Sequence, residues 1–210
     1  MPKAKAAAQK ALELDDSLAA AYSSLAMILH RYEWDWRGAE QNYLKAIELN
    51  PNNARPHLWY AWLMMTVGRR EEAQDQIKHA EEVTRRIDPL GLVDIRATMA
   101  KSLYLARQYD RAIKECHRAF ELDPHYFLPH LVLGRSYVQK RMYAQAIRVF
   151  EKFVSLSGDN LLFAGALGHA YAISGRKAKA LQTLEKLKEL RKQRYVPAVY
   201  LAVIYVCRAA

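Results

Sequence analysis

The feature that most constrains this sequence is a motif that returns at a nearly constant interval. KALELDD at 10–16 is followed by KAIELNP at 45–51 and RAFELDP at 118–124. A small residue recurs in step with these phrases, at Ala4, Ala39, Ala73, Ala112, Ala146 and Ala180. A period of about 34 residues is typical of architectures that stack one supersecondary unit per repeat. We therefore predict a repeat fold along the whole chain.

A second series of small residues keeps the same period, so the repeat does not depend on one motif. Its members are Ala26, Ala61, Ala100, Gly134, Gly168 and Ala202. A large apolar residue follows three positions after each, as at Leu29 and Met64. Two helices approach closely only where a side chain is small, and large residues fill the spaces between them. The pattern therefore predicts pairs of packed helices.

Helix-breaking residues are scarce, and several fall where a helix pair should end. The 210 residues include 8 Gly and 7 Pro, which favours long helices joined by short turns. We expect the second helix of successive pairs to stop at Pro51, Pro89, Pro124 and Gly158. One pair cannot bury its own apolar face, whereas a stack of pairs buries a continuous core.

These motifs resemble the tetratricopeptide repeat family, in the form found in bacterial arrays. The resemblance implies an all-α fold, a right-handed superhelix (solenoid) of helix-turn-helix hairpins, in one domain over residues 1–210. We assign five full repeats, with a half repeat at each end (1–18 and 195–210): 19–53, 54–92, 93–126, 127–160 and 161–194. The sequence departs from the family where a tryptophan is usual near the start of the first helix, at Tyr22, His57, Arg96, His130, Ala164 and Ala198.

The step from Ala73 to Ala112 is longer than the other steps, because it contains an insertion at RRIDPLGL (85–92). We expect the insertion to lengthen the turn and to loosen the stacking between the second and third full repeats. Because loops lengthen at little entropic cost, a tolerated surface insertion is the main interpretation. A hinge between the two repeats is the alternative.

The two ends of the sequence fall in the middle of a repeat. One interpretation is that the chain belongs to a longer array. The alternative is head-to-tail self-association, in which the half repeat of one molecule completes that of the next.

The apolar stretch 195–207 is too short to span a bilayer, and the first residues lack the apolar core of a signal peptide. Cys116 and Cys207 are interpreted as core residues, which favours a reducing compartment. We therefore predict a cytoplasmic protein.

Motifs that carry enzyme chemistry are missing from the sequence. It contains no GxxxxGK phosphate loop, no GxGxxG and no GxSxG, and its 7 His include no HExxH. Cys116 occupies a repeat position that is apolar in the other repeats, so it reads as core and not as a nucleophile. We therefore predict no enzyme, no catalytic residue, no metal site and no cofactor.

The family resemblance implies that the first helix of each repeat lines a concave groove that binds a peptide. Carried over by repeat position, the candidate groove residues are Arg55, Trp59, Trp62, Met65, Lys101, Tyr104, Arg135 and His169. Aromatic, Met and Arg side chains are the residues that dominate protein interfaces. Packing between hairpins is the alternative role for Trp59 and Trp62.

The function predicted from these features is a protein-interaction scaffold that binds a peptide or partner protein in the groove. A regulatory or sensory segment of a larger signalling protein is the second interpretation. Residues 127–210 carry 14 Lys+Arg against 4 Asp+Glu, which equals the whole net charge of +10. This excess favours an acidic partner if it is functional. Nucleic-acid binding is disfavoured, because RNA-reading helical repeats keep polar code positions in every unit.

Overall fold

The computed structural model describes residues 2–87, 91–157 and 160–206, and every regular element in these ranges is helical. The all-α class predicted from the sequence is therefore confirmed. The chain comprises two compact units, Met1–Ala106 and Arg107–Ala210, called unit 1 and unit 2 below. The predicted single domain and repeat boundaries stay predictions, and each unit is described by itself.

The described residues of unit 1 form six α-helices, and consecutive helices pack against each other. They are α1 (Pro2–Leu14), α2 (Ala19–Ile28), α3 (Trp36–Leu49), α4 (Ala54–Thr66), α5 (Arg70–Ile87) and α6 (Leu92–Leu105). Asp35 and Asn53 cap α3 and α4, since their side chains accept hydrogen bonds from the backbone amides of Gly38 and Arg55. α3 ends just before Pro51, as expected for a proline that follows a helix.

A π-helical turn, Leu29–Glu33, extends α2 and explains why the step from Ala4 to Ala39 is one position longer than the step that follows it. Ala39 comes thirteen positions after Ala26, whereas Ala73 comes twelve positions after Ala61. The wider turn absorbs this one extra residue, a common use of π-bulges. Trp34 then ends the turn in the left-handed conformation, with φ of 59°.

Part of the predicted insertion at 85–92 is helical. α5 has 18 residues, whereas α3 and α7 have 14 each, so the extra length goes into the helix as well as the turn. Residues 88–90, which include Pro89, lie outside the described residues. On either side of them, Arg96 of α6 donates a hydrogen bond to Glu81 of α5 at 2.6 Å.

In unit 2, the residues that the structure describes also form six α-helices. They are α7 (Tyr109–Leu122), α8 (Phe127–Gln139), α9 (Tyr143–Ser157), α10 (Leu161–Ile173), α11 (Lys177–Gln193) and α12 (Ala198–Val206). α10 packs on α8, α9, α11 and α12 and so lies at the centre of the unit. Pro124 follows the end of α7 as predicted, whereas Gly158 lies outside the described residues.

Most of the small residues that reveal the repeat are buried, whereas Ala4 and Ala202 are exposed. Ala26, Ala39, Ala61, Ala73, Ala100, Ala112 and Ala146 are completely buried. Gly134 shows why size matters, because a Cβ added there would lie 2.3 Å from Cε1 of Phe150. Cys116 is also completely buried, and burial raises the pKa of its thiol to about 12, which confirms the core assignment. Cys207 lies outside the described residues.

Candidate partner-binding face

One side of α4 carries the aromatic and basic residues that the sequence singled out. Arg55, Trp59 and Trp62 are spaced at i, i+4 and i+7, so they share a helix face. Leu63 and Met64 point into the core of unit 1 and are at most 2% exposed. Trp59 and Trp62 are half-buried, so the two tryptophans lie away from the fully buried side of α4.

Trp62 lies beneath two cations. The Nζ atom of Lys101 is 4.3 Å from the centroid of the indole ring, and the guanidinium carbon of Arg31 is 5.5 Å from it. The indole Nε1–H donates a hydrogen bond of 3.4 Å to Oγ1 of Thr98 on α6. We call Arg31, Trp62, Thr98 and Lys101 the Trp62 cluster. The ring packs against α6 and stays partly exposed, so its packing role is observed and its role in a binding groove stays a prediction.

His30 adds to the polar surroundings of the cluster without adding charge. Its Nε2 lies 3.4 Å from Oγ1 of Thr66, and Thr66 donates a hydrogen bond to the carbonyl oxygen of Trp62. Burial lowers the pKa of His30, and the positive charges of Arg31 and Lys101 lower it further. The imidazole is therefore neutral at pH 7, and the positive charge around Trp62 comes from Arg31 and Lys101.

A cavity of 430 Å³ opens beside the N-terminal half of the same helix face. Arg55, Leu58 and Trp59 line it from α4, and Asp94 lines it from α6. The guanidinium carbon of Arg55 lies 5.8 Å from the centroid of the Trp59 ring. Ligand pockets in proteins begin at roughly 300 Å³, so the cavity is large enough for one or two side chains of a partner.

The remaining two predicted residues of unit 1 differ in accessibility. Met65 is 8% exposed and belongs to the buried set of α4, so it presents little surface to a partner. Tyr104 lies half-buried in the last turn of α6, three residues after Lys101. Of the candidate residues in unit 1, the structure therefore brings Trp62 and Lys101 into contact and places Arg55 and Trp59 at one cavity.

Arg135 and His169 belong to unit 2. They occupy the repeat position that Lys101 holds on α6, each one period further along the chain. Arg135 is exposed on α8, and His169 is half-buried on α10. Burial lowers the pKa of His169, and the positive charge of Arg135 lowers it further, which indicates that the two side chains are neighbours. Only Arg135 of this pair carries a charge at pH 7, and the assignment of both residues to a binding groove stays a prediction.

Sequence reasoning missed Arg31 and Thr98. Arg31 lies in the π-helical turn, which shifts the register of α2, so a count of repeat positions points to His30 instead. Thr98 is completely buried and has no chemical feature that distinguishes it from other core threonines before its contact with Trp62 is known. The extra residue between Ala26 and Ala39 was the one available signal for Arg31.

Two further properties concern the described residues as a whole. Within 2–87, 91–157 and 160–206, no three His, Cys, Asp or Glu side chains come close enough together to hold a metal ion. In those same ranges, no helix has both the length and the hydrophobicity needed to cross a lipid bilayer.

Comparison with known proteins supports the repeat assignment. Family models described as tetratricopeptide repeat match residues 42–75, 130–160 and 164–194. No curated protein matches the sequence.

Solved structures match over nearly the whole chain. PilW, described as a widely conserved type IV pilus biogenesis factor, has a TM-score of 0.81 at 16% identity, covering 97% of this chain and 90% of that one. The pilF protein of Pseudomonas aeruginosa has a TM-score of 0.71 at 20% identity, covering 95% and 86%. YrrB, described as a TPR protein with an unusual peptide-binding site, has a TM-score of 0.57 at 20% identity, covering 93% and 96%.

These identities are low, so the likeness shows the fold and leaves function open. The matched repeats, the all-α hairpins and the buried small-residue series agree with one another. The chain is therefore a tetratricopeptide repeat protein.

Proposed function

We propose that this protein binds an extended, acidic segment of a partner protein against the Trp62 cluster and the adjoining cavity of Arg55 and Trp59. The tetratricopeptide repeat is a non-enzymatic protein-interaction scaffold, and stacked repeats offer extended binding surfaces. The peptide-binding site reported in the description of YrrB is in keeping with such a role. The partner chemistry proposed here derives from this chain's own residues.

The observation that carries the proposal is the position of two cations over one accessible tryptophan. A cation held within about 6 Å of an aromatic centroid is attracted to the ring, and Lys101 and Arg31 both meet this distance. Trp and Arg are also the residue types that dominate binding energy at interfaces. The cluster thus places an apolar ring surface next to two positive charges.

The proposed binding mode assigns a role to each predicted residue. A large apolar side chain of the partner packs against Trp62 or enters the cavity beside Trp59. Met65 supports α4 from its buried side, and Tyr104 is proposed to contact the partner one turn beyond Lys101. Acidic groups of the partner pair with Arg31, Arg55 and Lys101. In unit 2, Arg135 and His169 are proposed to contact the partner in the same manner.

The test uses peptides of defined chemistry. An array of capped ten-residue peptides, in which Asp or Glu alternates with large apolar residues, selects binders of the full chain, and fluorescence anisotropy then gives their Kd. We expect Trp62→Ala to weaken binding at least about tenfold, as truncation of a hot-spot tryptophan does. Trp36→Ala is the matched control, because Trp36 is 45% exposed at the start of α3 and outside the cluster.

A charge variant separates loss of binding from loss of folding. Lys101→Glu should weaken the same peptides, whereas Lys45→Glu, on exposed surface of α3, should not. Circular dichroism checks that each variant remains helical. Peptides that bind Trp62→Ala and the unchanged protein equally well would show that the face is misassigned.

A further inference from the structure

Unit 2 contains two junctions that can be compared residue by residue. In the first, Phe120 of α7, His130 of α8 and Phe153 of α9 come together. In the second, one repeat period later, the same positions are Val154 of α9, Ala164 of α10 and Leu187 of α11. We call the first the filled junction and the second the hollow junction.

Aromatic rings occupy the filled junction. The ring centroid of His130 lies 4.4 Å from that of Phe120 and 5.1 Å from that of Phe153. Phe153 in turn stacks on Phe163 at 4.0 Å. The Nε2 atom of His130 lies 2.8 Å from the carbonyl oxygen of Pro124, which fixes the imidazole between the two phenyl rings.

Smaller side chains leave the hollow junction open. Val154, Ala164 and Leu187 line a cavity of 380 Å³ between α9, α10 and α11. A cavity of about 150 Å³ lined by apolar side chains is enough to hold benzene, so this one has ample room for an aromatic ring. His130 and Ala164 occupy the same repeat position. Where the filled junction has the imidazole of His130, the hollow junction has only the methyl group of Ala164.

Positive charge surrounds the mouth of this cavity. Lys179 and Lys186 both line it and are both exposed. The Nζ atom of Lys179 is 5.3 Å from the ring centroid of Tyr171 and 3.6 Å from Oε1 of Glu151. Residues 127–210 carry 14 Lys+Arg and 4 Asp+Glu, so the net positive charge of this part of the chain favours an anionic ligand.

We infer that the hollow junction is a binding site for an aromatic side chain carried on an acidic segment of a partner protein. The aromatic ring enters the space that His130 fills in the filled junction, and acidic neighbours of that ring pair with Lys179 and Lys186. Burial of the ring supplies the apolar contribution and the lysines supply selectivity for acidic sequence. This site lies in unit 2 and does not depend on the Trp62 cluster.

The probe is the capped peptide Glu-Glu-Trp-Glu, titrated into the isotope-labelled full chain and followed by amide chemical shifts. We expect saturable shifts at Leu167 and Leu187, which line the cavity. Ala164→Trp fills the hollow junction from within and should abolish these shifts. If that variant does not fold, Ala164→Leu, which fills the space partly, should weaken the binding.

Three controls test the chemistry of the ligand. Lys179→Gln should raise the Kd about two- to fivefold, the effect of one exposed ion pair, whereas Lys177→Gln, on the same helix but outside the cavity lining, should not. The capped peptide Glu-Glu-Ala-Glu should not bind. Trp62→Ala should bind the probe unchanged, which separates this site from the proposed face in unit 1.

Three results would overturn the inference. They are the absence of saturable shifts at the cavity, equal binding by Ala164→Trp, and equal binding of the alanine peptide. Tighter binding of free indole-3-propionate than of the tryptophan peptide would identify a small-molecule site and would also contradict a protein partner.

Discussion

The filled and hollow junctions of unit 2 share one repeat position and differ in what occupies it. At the filled junction, Phe120, His130 and Phe153 form a continuous cluster of tilted aromatic rings. At the hollow junction, Val154, Ala164 and Leu187 border a cavity of 380 Å³. α8 and α10 nevertheless run over the same repeat positions, from Phe127 to Gln139 and from Leu161 to Ile173.

The comparison teaches that the repeat backbone does not depend on a large residue at this position. The helix pair is fixed by the close-contact residues, such as Gly134 and Gly168, whose added Cβ atoms would collide with Phe150 and Ile204. With the helices fixed there, the junction position is free to hold either core or cavity. A cavity thus arises by a change of side chain, with no change of fold.

The largest expected effect concerns Phe153, which links the filled junction to the core through its stacking on Phe163. Phe153→Ala should lower the free energy of unfolding by about 3–5 kcal/mol, the usual cost of removing a buried phenyl ring. Leu187→Ala, the matched change at the hollow junction, should cost less, because leucine removes fewer buried carbon atoms than phenylalanine, although Leu187 is only 1% exposed. Urea unfolding followed by circular dichroism measures both values. An equal or larger cost for Leu187→Ala would contradict the distinction between the two junctions.

The second effect comes from emptying the filled junction. His130→Ala removes an aromatic ring from between two others together with its hydrogen bond to Pro124. Because His130 is only half-buried, we expect a loss of about 1–2 kcal/mol, as for a partial cavity and one hydrogen bond. His125→Ala, at an exposed position five residues earlier, should change stability by less than about 0.5 kcal/mol. If the two variants were equally stable, His130 would contribute nothing to the junction.

The smallest effect is a difference in pH dependence. Burial lowers the pKa of His130, although its hydrogen bond to Pro124 acts in the opposite direction. The folded state therefore binds fewer protons than the unfolded state, so the contribution of neutral His130 is fully present above pH about 6.5 and is lost as pH falls through the lowered pKa.

His30 and His169 also have lowered pKa values, so the wild-type curve contains all three contributions. His130→Phe keeps a ring at the filled junction and removes one titrating group. Its stability should fall less than that of the wild type between pH 6.5 and pH 5, measured by urea unfolding at each pH. Identical slopes for the two proteins would contradict the contribution of His130.

The sequence predicted the helix pairs well because small residues recur at the same interval as the pairs. Ala39, Ala73 and Ala112 recur with the repeat period, and all three are completely buried. It also identified Trp62 and Lys101, which were assigned to one groove and meet in the structure. The sequence did not identify Arg31. Arg31 lies in the π-helical turn that accommodates one extra residue, and such a turn cannot be predicted from composition.

The hollow junction shows the same division between sequence and structure. Ala164 stands out in the sequence as a small residue where other repeats carry Tyr22, His57, Arg96 or His130. Whether a small residue leaves a cavity depends on whether its neighbours move in to fill it, and this cannot be read from one position. Val154 on α9 and Leu187 on α11 fill only part of the space beside Ala164. The way α9 and α11 pack against α10 therefore determines that a cavity remains.

The sequence by itself determined the period, the helical class and the residues at which helices touch, because each of these follows from local size and spacing. Tertiary structure alone decided which charges lie over Trp62 and which repeat position stays empty. Those features depend on distances between side chains that are far apart along the chain, such as Arg31 and Trp62 or Val154 and Leu187. Such distances are set by how whole helices pack, and a motif records only the order of the residues along them.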